Sequence, residues 1–331
     1  MLTGRQAGWS TAAIPPQHGR LAVITGATGG LGYETALALA AAGAEVVLAG
    51  RSAGKGAAAL ARIRAAHAGS AVSFELLDLA SLGSVAEFAD RLLAAGRGID
   101  LLVNNAGVMA PPRRQESQDG FELQFATNYL GHFALTARLL PLLRRGSGPR
   151  VVNLSSVAAH RGALVFGDLQ AVRSYVPMRA YATTKLAMLM FALELQRRSD
   201  ANGWGLMSLA AHPGWARTDL FVNGPATNGR VTRLWRLALL AMPLFSQSAA
   251  DGARPVLFAA TSPDARGGGY YGPGGLFELK GPPAPARLPA QARNAEVAAS
   301  LWEASERLSG VALDRRAEPA VAPVARSGHA A

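Results

Sequence analysis

Six short, mostly aliphatic runs, each followed by a longer stretch of helical character, limit this chain more than any other feature. The runs are Leu21–Thr25, Glu45–Ala49, Val72–Leu76, Leu101–Asn104, Arg150–Ser155 and Leu206–Ala211. Between them lie Ala-rich or amphipathic stretches such as Gly30–Ala42, Leu82–Ala95, Phe121–Leu143 and Ala180–Arg198. A strand that is apolar on both faces needs cover on both, and helical crossovers between parallel strands provide it. The pattern therefore predicts a doubly wound α/β fold, a parallel sheet with helices on either side. No repeat of solenoid length interrupts it.

The chain has 331 residues, half of them hydrophobic, enough to bury one large core. A single domain is expected over residues 20–310, after an N-terminal extension (1–19) and before an Ala/Pro-rich tail (311–331) read as disordered. The alternation stops after the sixth run. Residues from about 215 to 246 read as an inserted lid, ahead of a helix starting near Ser248. Inside that insert, Arg230–Arg236 leads into the apolar Leu237–Phe245. This stretch is far shorter than the roughly 20 residues needed to span a bilayer. It either packs on its own domain or covers an apolar substrate, resting on a membrane surface through its arginines.

The formal charge is +11, but the arginines are scattered and no basic run carries interleaved aromatics. Nucleic acid is therefore not an expected partner. There is no cysteine, which excludes disulfides, thiolate metal sites and a thiol nucleophile. No His, Asp and Glu cluster has metal-ligand spacing either, so no metal is expected. The composition fits a soluble protein of a reducing compartment, read as cytoplasmic and at most peripheral to a membrane.

Two segments carry the first chemical signal. Thr25-Gly26-Ala27-Thr28-Gly29-Gly30-Leu31-Gly32 follows the first run and opens a helix. Glycines there let the backbone approach a pyrophosphate, whose charge rests at the helix N-terminus. A nucleotide that carries a 2′-hydroxyl calls for a carboxylate at the end of the second strand. This chain has Ala49-Gly50-Arg51-Ser52 instead. A guanidinium at Arg51, helped by Ser52 or Lys55, suits a 2′-phosphate, so NADP(H) is favoured over NAD(H).

The second signal is Tyr181-Ala182-Thr183-Thr184-Lys185, whose spacing of four places phenol and ammonium on one helix face. A free phenol titrates near 10, and a neighbouring cation favours its ionised form. Such a tyrosine can give a proton to an alkoxide or take one from an alcohol. On its own the pair is an ordinary helix-face pair.

It does not stand alone. Asn104-Asn105-Ala106-Gly107 follows the fourth run and Ser155-Ser156 the fifth. With the glycine turn and the Tyr/Lys pair, they stand in the order of the short-chain dehydrogenase/reductase family, which the chain resembles from Leu21 to Gly310. Asp78-Leu79-Ala80-Ser81-Leu82, Asp119-Gly120-Phe121-Glu122, Asn128-Tyr129-Leu130-Gly131-His132-Phe133 and His212-Pro213-Gly214 resemble its retinol-dehydrogenase-like branch.

The resemblance implies a Rossmann-type fold and a set of roles. Tyr181 would be the acid/base, and Lys185 would bind the nicotinamide ribose and lower the tyrosine pKa. Ser156 would hydrogen-bond the substrate oxygen, and Asn128 would hold a water relaying protons from Lys185. Gly26, Thr28, Gly30, Leu31 and Gly32 would cradle the pyrophosphate, while Asp78 and Leu79 would meet the adenine. Asn105, Ala106 and Gly107 would line the floor under the cofactor, and Pro213, Gly214 and Thr218 would close around the nicotinamide amide. Ser155, His132, His160 and His212 read as structural, and Tyr175 as structural or pocket-lining. Residues Ala163–Arg179 are expected to form one wall of the pocket.

The expected activity is hydride exchange between NADP(H) and a hydrophobic ketone or aldehyde and its alcohol. Two alternatives use the same fold. A protochlorophyllide-reductase-like C=C reductase is disfavoured because that family uses cysteines near its substrate. A non-catalytic nucleotide sensor has no need of Asn128, Ser156, Tyr181 and Lys185 together. A homo-oligomer through Ala180–Arg198 is usual in the wider family.

Overall fold

The computed structural model describes residues 8–216 and 246–313. Thr218, the interior of the expected lid with Leu237–Phe245, and the tail beyond 313 lie outside these residues. In chain order the main elements are β1 Leu21–Thr25, α1 Gly30–Ala41, β2 Glu45–Gly50, α2 Ala53–Ala66, β3 Val72–Leu76 and α3 Leu82–Ala95. Then come β4 Leu101–Asn104, the single turn α4 Leu123–Phe125, a π-helical turn Ala126–Leu130, α5 Gly131–Leu143, β5 Arg150–Leu154, α6 Pro177–Asn202 and β6 Met207–Ala211. The chain closes with α7 Ala249–Thr261, β7 Tyr270–Pro273, β8 Pro283–Pro285 and α8 Ala295–Ser309.

The eight strands join in the order β3-β2-β1-β4-β5-β6-β7-β8, all parallel except β8. The six expected strands are all present, within a residue of their expected ends. β7 and β8 are the difference. They are four and three residues long and rich in Gly and Pro, too short to show a period. Proline is tolerated in β8 because it lies at the sheet edge.

Alternation along each strand feeds two cores. Val23, Val47 and Leu102 point into the one built with α3, α5, α6 and α8. Ala22, Ile24, Val46 and Leu48 point into the other, built with α1, α2 and α7. The first core holds α5 and α6 in place through aromatic contacts. Phe133 and Trp302 meet edge to face with ring centroids 5.1 Å apart, and Phe191 lies 5.8 Å from Trp302. Replacing Trp302 by alanine would cost about 3–5 kcal/mol.

Helix α6 begins with Pro177, whose fixed φ suits a first helical turn, and ends at left-handed Gly203. Its middle is buried between sheet and α8, so Tyr181 and Lys185 face inward. In the stretch assigned to the N-terminal extension, Trp9 packs edge-on against Phe258, and the Gln17 N–H donates to the Ala42 carbonyl (2.8 Å).

Candidate active site

Strand order reverses between β1 and β4, which are neighbours while β2 lies on the far side of β1. The loops after β1 and β4 thus diverge and leave a crevice at the carboxyl end of the sheet. That crevice is about 220 Å³ and is lined by the glycine turn, Arg51, Leu79, Asn105, Ala106 and Thr127, among others.

The glycines are required by contact distance. Gly26 has φ +65, and a Cβ there would stand 2.8 Å from the Ala106 Cα. At Gly32 a Cβ would meet the Gly26 carbonyl oxygen and Asn105 Nδ2, both at 2.5 Å. The turn is tied to the β4 loop by hydrogen bonds. Asn105 Nδ2 donates to the Thr25 carbonyl (2.8 Å), and the Asn105 and Ala106 N–H groups donate to Thr25 Oγ1 (2.9 and 3.0 Å). Thr127 Oγ1 is buried in the crevice wall without a hydrogen-bond partner among the described residues. Such a cradle suits a ligand that brings its own polar atoms.

Arg51 is exposed at the end of β2 and makes no ion pair among the described residues. Glu75 is paired with Arg91 at 2.9 Å. Ser52 N-caps α2 by accepting the Lys55 N–H at 3.4 Å, so its hydroxyl proton is free to point toward a ligand at Arg51. Asp78 accepts the Ala80 N–H (3.0 Å) and anchors the β3 loop.

The catalytic candidates meet where β5 ends against α6. Ser156 caps the turn Val157–Arg161, accepting the Ala158 N–H at 3.2 Å. Its side chain faces the Tyr181 phenol and favours the ionised form of that group. Lys185 Nζ lies 5.8 Å from the Tyr181 ring centroid and donates to the Leu154 carbonyl (2.9 Å). Ser155 holds the lysine from behind, donating to the Lys185 carbonyl at 2.8 Å.

Asn128 sits in the π-helical turn, a widening often found at functional sites. Its amide accepts from the Val108 N–H (2.7 Å) and donates to the Val108 carbonyl (2.9 Å) and Thr184 Oγ1 (3.0 Å). Gly107 packs against both Asn128 and Lys185; a Cβ on it would lie 3.1 Å from Asn128 Oδ1 and 3.6 Å from Lys185 Nζ.

Burial pushes the Tyr181 phenol up to about 12, and the Ser156 side chain opposes this only in part. Burial also brings Lys185 down to about 8. Desolvation is the larger cause of the Tyr181 shift. Tyr181 is poised as a proton donor.

Next to these groups opens a second cavity of about 1300 Å³, walled by Val157, Ala158, Met178, Trp215, Leu276 and Phe277, among others. Of the expected wall Ala163–Arg179, only Met178 and Arg179 reach it. Ala163, Val165, Asp168, Leu169 and Val176, among others of that stretch, line a separate pocket of about 190 Å³ against Glu122 and Phe125. The reason is local: Asp168 Oδ1 accepts the Val172 N–H at 2.7 Å and curls the loop on itself. Tyr175 is structural, its hydroxyl donating to the Pro111 carbonyl at 2.8 Å.

The loop after β6 reaches the large cavity through Trp215. His212 Nδ1 accepts the Gly214 N–H (3.2 Å), which leaves Nε2 to donate to Glu278 (3.0 Å). Burial works against the charge on Glu278, yet hydrogen bonds from His212 and the Arg287 N–H hold its carboxyl below the ordinary range. The expected lid enters and leaves beside this loop. The Gln247 N–H donates to the Trp215 carbonyl (2.9 Å), and Gln247 Nε2 donates to the Pro213 carbonyl (2.6 Å).

Thr25, Thr127 and Glu278 were not singled out by sequence. Thr25 and Thr127 flank motif residues, so adjacency was their only signal; Glu278 had none.

A crevice at a strand-order reversal, a glycine turn opening a helix, and a half-buried serine beside a buried tyrosine and lysine point to the class of nicotinamide-dependent oxidoreductases. Residues 20–228 match the short chain dehydrogenase model. The chain is 41% identical to polyprenol dehydrogenase of Mus musculus over 302 residues, covering 90% of this chain and 86% of that protein. It is 38% identical to retinol dehydrogenase 12 of Mus musculus, covering 88% and 87%. Among solved structures, an uncharacterised protein of Mycobacterium paratuberculosis superposes with a TM-score of 0.75 at 39% identity, covering 93% and 99%. A short chain dehydrogenase from Burkholderia cenocepacia, in complex with NADP, gives 0.56 at 26% identity, covering 74% and 92%. The chain belongs to the short-chain dehydrogenase/reductase family, in its retinol-dehydrogenase-like branch.

Proposed function

We propose that the chain is an NADP(H)-dependent oxidoreductase interconverting a hydrophobic ketone or aldehyde and its alcohol, with Tyr181 as acid and base. The observation that carries this reading is the pairing of Tyr181 and Lys185 on the buried face of α6 against the end of β5, where Leu154 lines the nucleotide crevice and Val157 and Ala158 line the large cavity. Bound nicotinamide supplies or accepts the hydride at the substrate carbon. Tyr181 gives its proton to the carbonyl oxygen as negative charge grows there, and Ser156 stabilises that oxygen by a second hydrogen bond. In the reverse direction the same phenol oxygen takes the alcohol proton. Lys185 holds the ribose and, with a water at Asn128, reprotonates the tyrosine. Arg51 and Ser52 hold the 2′-phosphate, and Gly26, Thr28, Gly30, Leu31 and Gly32 the pyrophosphate. Asp78 and Leu79 meet the adenine; Asn105, Ala106 and Gly107 lie beneath the cofactor. Pro213 and Gly214 close on the carboxamide, a role the family also gives Thr218.

A long lipophilic substrate is supported by the rim of the cavity. Leu276 and Phe277 are 74% and 79% exposed at its edge, and Val165, Val172 and Val176 add further exposed apolar surface on the neighbouring loop. Polyprenol and retinol are the alcohols named for the similar mouse enzymes. The same rim supports a cytoplasmic protein that meets its substrate at a membrane surface. No helix among the described residues is long and apolar enough to cross a membrane.

The test is NADPH oxidation, followed by absorbance, against long-chain, terpenoid, aromatic and steroid carbonyls. Tyr181→Phe should lower kcat by about a thousandfold while NADPH still binds. A rate within a few-fold of wild type overturns the mechanism.

A further inference from the structure

The mechanism leaves two fully buried imidazoles unused, His132 and His212, and the first of them touches both ends of the site. His132 lies at the second position of α5 with no solvent exposure, and both ring nitrogens are engaged. Nδ1 is 3.0 Å from the Asn128 main-chain oxygen, and Nε2 is 2.9 Å from Thr25 Oγ1. A carbonyl oxygen only accepts, so Nδ1 carries the proton and Nε2 is a bare acceptor. The Thr25 hydroxyl therefore donates to Nε2; the Val103 carbonyl lies farther from it, at 3.4 Å. With its proton committed, Thr25 Oγ1 offers its lone pairs to the Asn105 and Ala106 N–H groups. Each bond in this chain dictates the direction of the next.

The arrangement holds only while the ring is neutral. Burial first, and the Lys185 ammonium after it, bring His132 down to about 3. Of the charged and titratable groups on the packed elements, Lys185 is the one that acts on the ring; the remaining contacts are neutral hydroxyl and peptide groups.

We infer that His132 is a positioning residue that couples the two halves of the site: through the Asn128 carbonyl it sets the catalytic end, and through Thr25 it sets the Asn105–Ala106 floor under the cofactor. The inference rests on the function proposed above. Its two arms use different nitrogens, so they can be cut separately. Asparagine at 132 places an amide donor near the Nδ1 position and loses the Thr25 acceptor. Glutamine places an amide acceptor near Nε2 and loses the donor to Asn128.

The experiment measures NADPH affinity by fluorescence, and kcat with the best carbonyl of the panel, for His132→Asn, His132→Gln, Thr25→Val and Thr25→Ser. His132→Asn and Thr25→Val should raise the NADPH Kd about tenfold, the size of one lost buried hydrogen bond, and by more than either lowers kcat. His132→Gln should lower kcat about tenfold with Kd within threefold. Thr25→Ser, which keeps the hydroxyl, should restore Kd to near the wild-type value. Histidine ¹⁵N shifts should show protonated Nδ1 and bare Nε2 without change from about pH 5 to about pH 9. The inference is overturned if the two His132 variants alter Kd and kcat in the same proportion, or if Thr25→Val binds NADPH as wild type does. The Thr25 pair and the ¹⁵N shifts decide the matter even if the His132 variants do not fold. Wild-type protein that fails to bind NADPH would instead overturn the proposed function.

Discussion

The two sides of the active site are built by opposite means. On the cofactor side, β1, β2, β4 and β5 end in short turns whose polar groups are bonded to one another, with Asn104 Nδ2 donating to Asn153 Oδ1 at 2.9 Å and Asn105 clamping the glycine turn. On the substrate side the backbone is strained and the surface greasy. Phe277 and Glu278 follow one another at φ +53 and +57, in the left-handed region that costs non-glycine residues of order 1 kcal/mol or more. What holds them is remote in sequence: His212 and the Arg287 N–H on the Glu278 carboxylate. A nucleotide presents the same phosphates and ribose each time, so its side can be rigid and local. A lipophilic substrate presents mainly surface, so its side is enclosed by loops gathered from afar.

The contrast is broken most severely if the cofactor side tolerates bulk. Gly32→Val should weaken NADPH binding by more than about a hundredfold, measured by titration, because its Cβ has no room between Asn105 and Gly26. Near-normal binding would show that the turn is not rigid.

Arg51→Asp comes next. It replaces the expected 2′-phosphate partner by a like charge and should raise the KM for NADPH about thirtyfold or more, with a far smaller change for NADH. Equal effects on both would remove the phosphate from the account.

Lys185 sharpens the comparison through pH. Held at about 8, it is an ammonium below that pH and neutral above it. The reductive kcat should therefore be level below about pH 8 and fall roughly tenfold per unit above it. In Lys185→Arg, whose cation does not titrate, that falling limb should vanish, although the lower plateau itself is reduced. Stability runs the other way. The folded value lies below the ordinary 10.5, so the unfolded chain binds more protons between the two, and stability should rise from about pH 8 toward 10.5. Thermal melts in that window check the sign.

The smallest effect belongs to the substrate side. Glu278→Ala frees His212 Nε2 and the strained loop, and should raise the KM for a bulky carbonyl about three- to fivefold with NADPH affinity unchanged. A loss of NADPH binding would mean the two sides are not separate.

The same division separates what was legible from what was not. The residues proposed to hold a nucleotide sit in turns whose glycines and asparagines follow their strands directly, so Gly26, Gly32, Asn105 and Arg51 could be found by reading along the chain. β7 and β8 could not, because short Gly/Pro strands at an edge leave no period. The wall expected from Ala163–Arg179 was misplaced because Asp168 turns that loop inward, a contact no spacing announces.

Sequence alone determined the parallel, doubly wound sheet, the nucleotide turn and the pairing of Tyr181 with Lys185, since each depends on residues within about one turn of helix or strand. Tertiary structure decided the rest. The sign of the Tyr181 shift follows from burial. The role of His132 follows from where Thr25 and Asn128 are brought, 107 and 4 residues away along the chain. Desolvation and long-range hydrogen bonds belong to the packed state, and no local pattern encodes them.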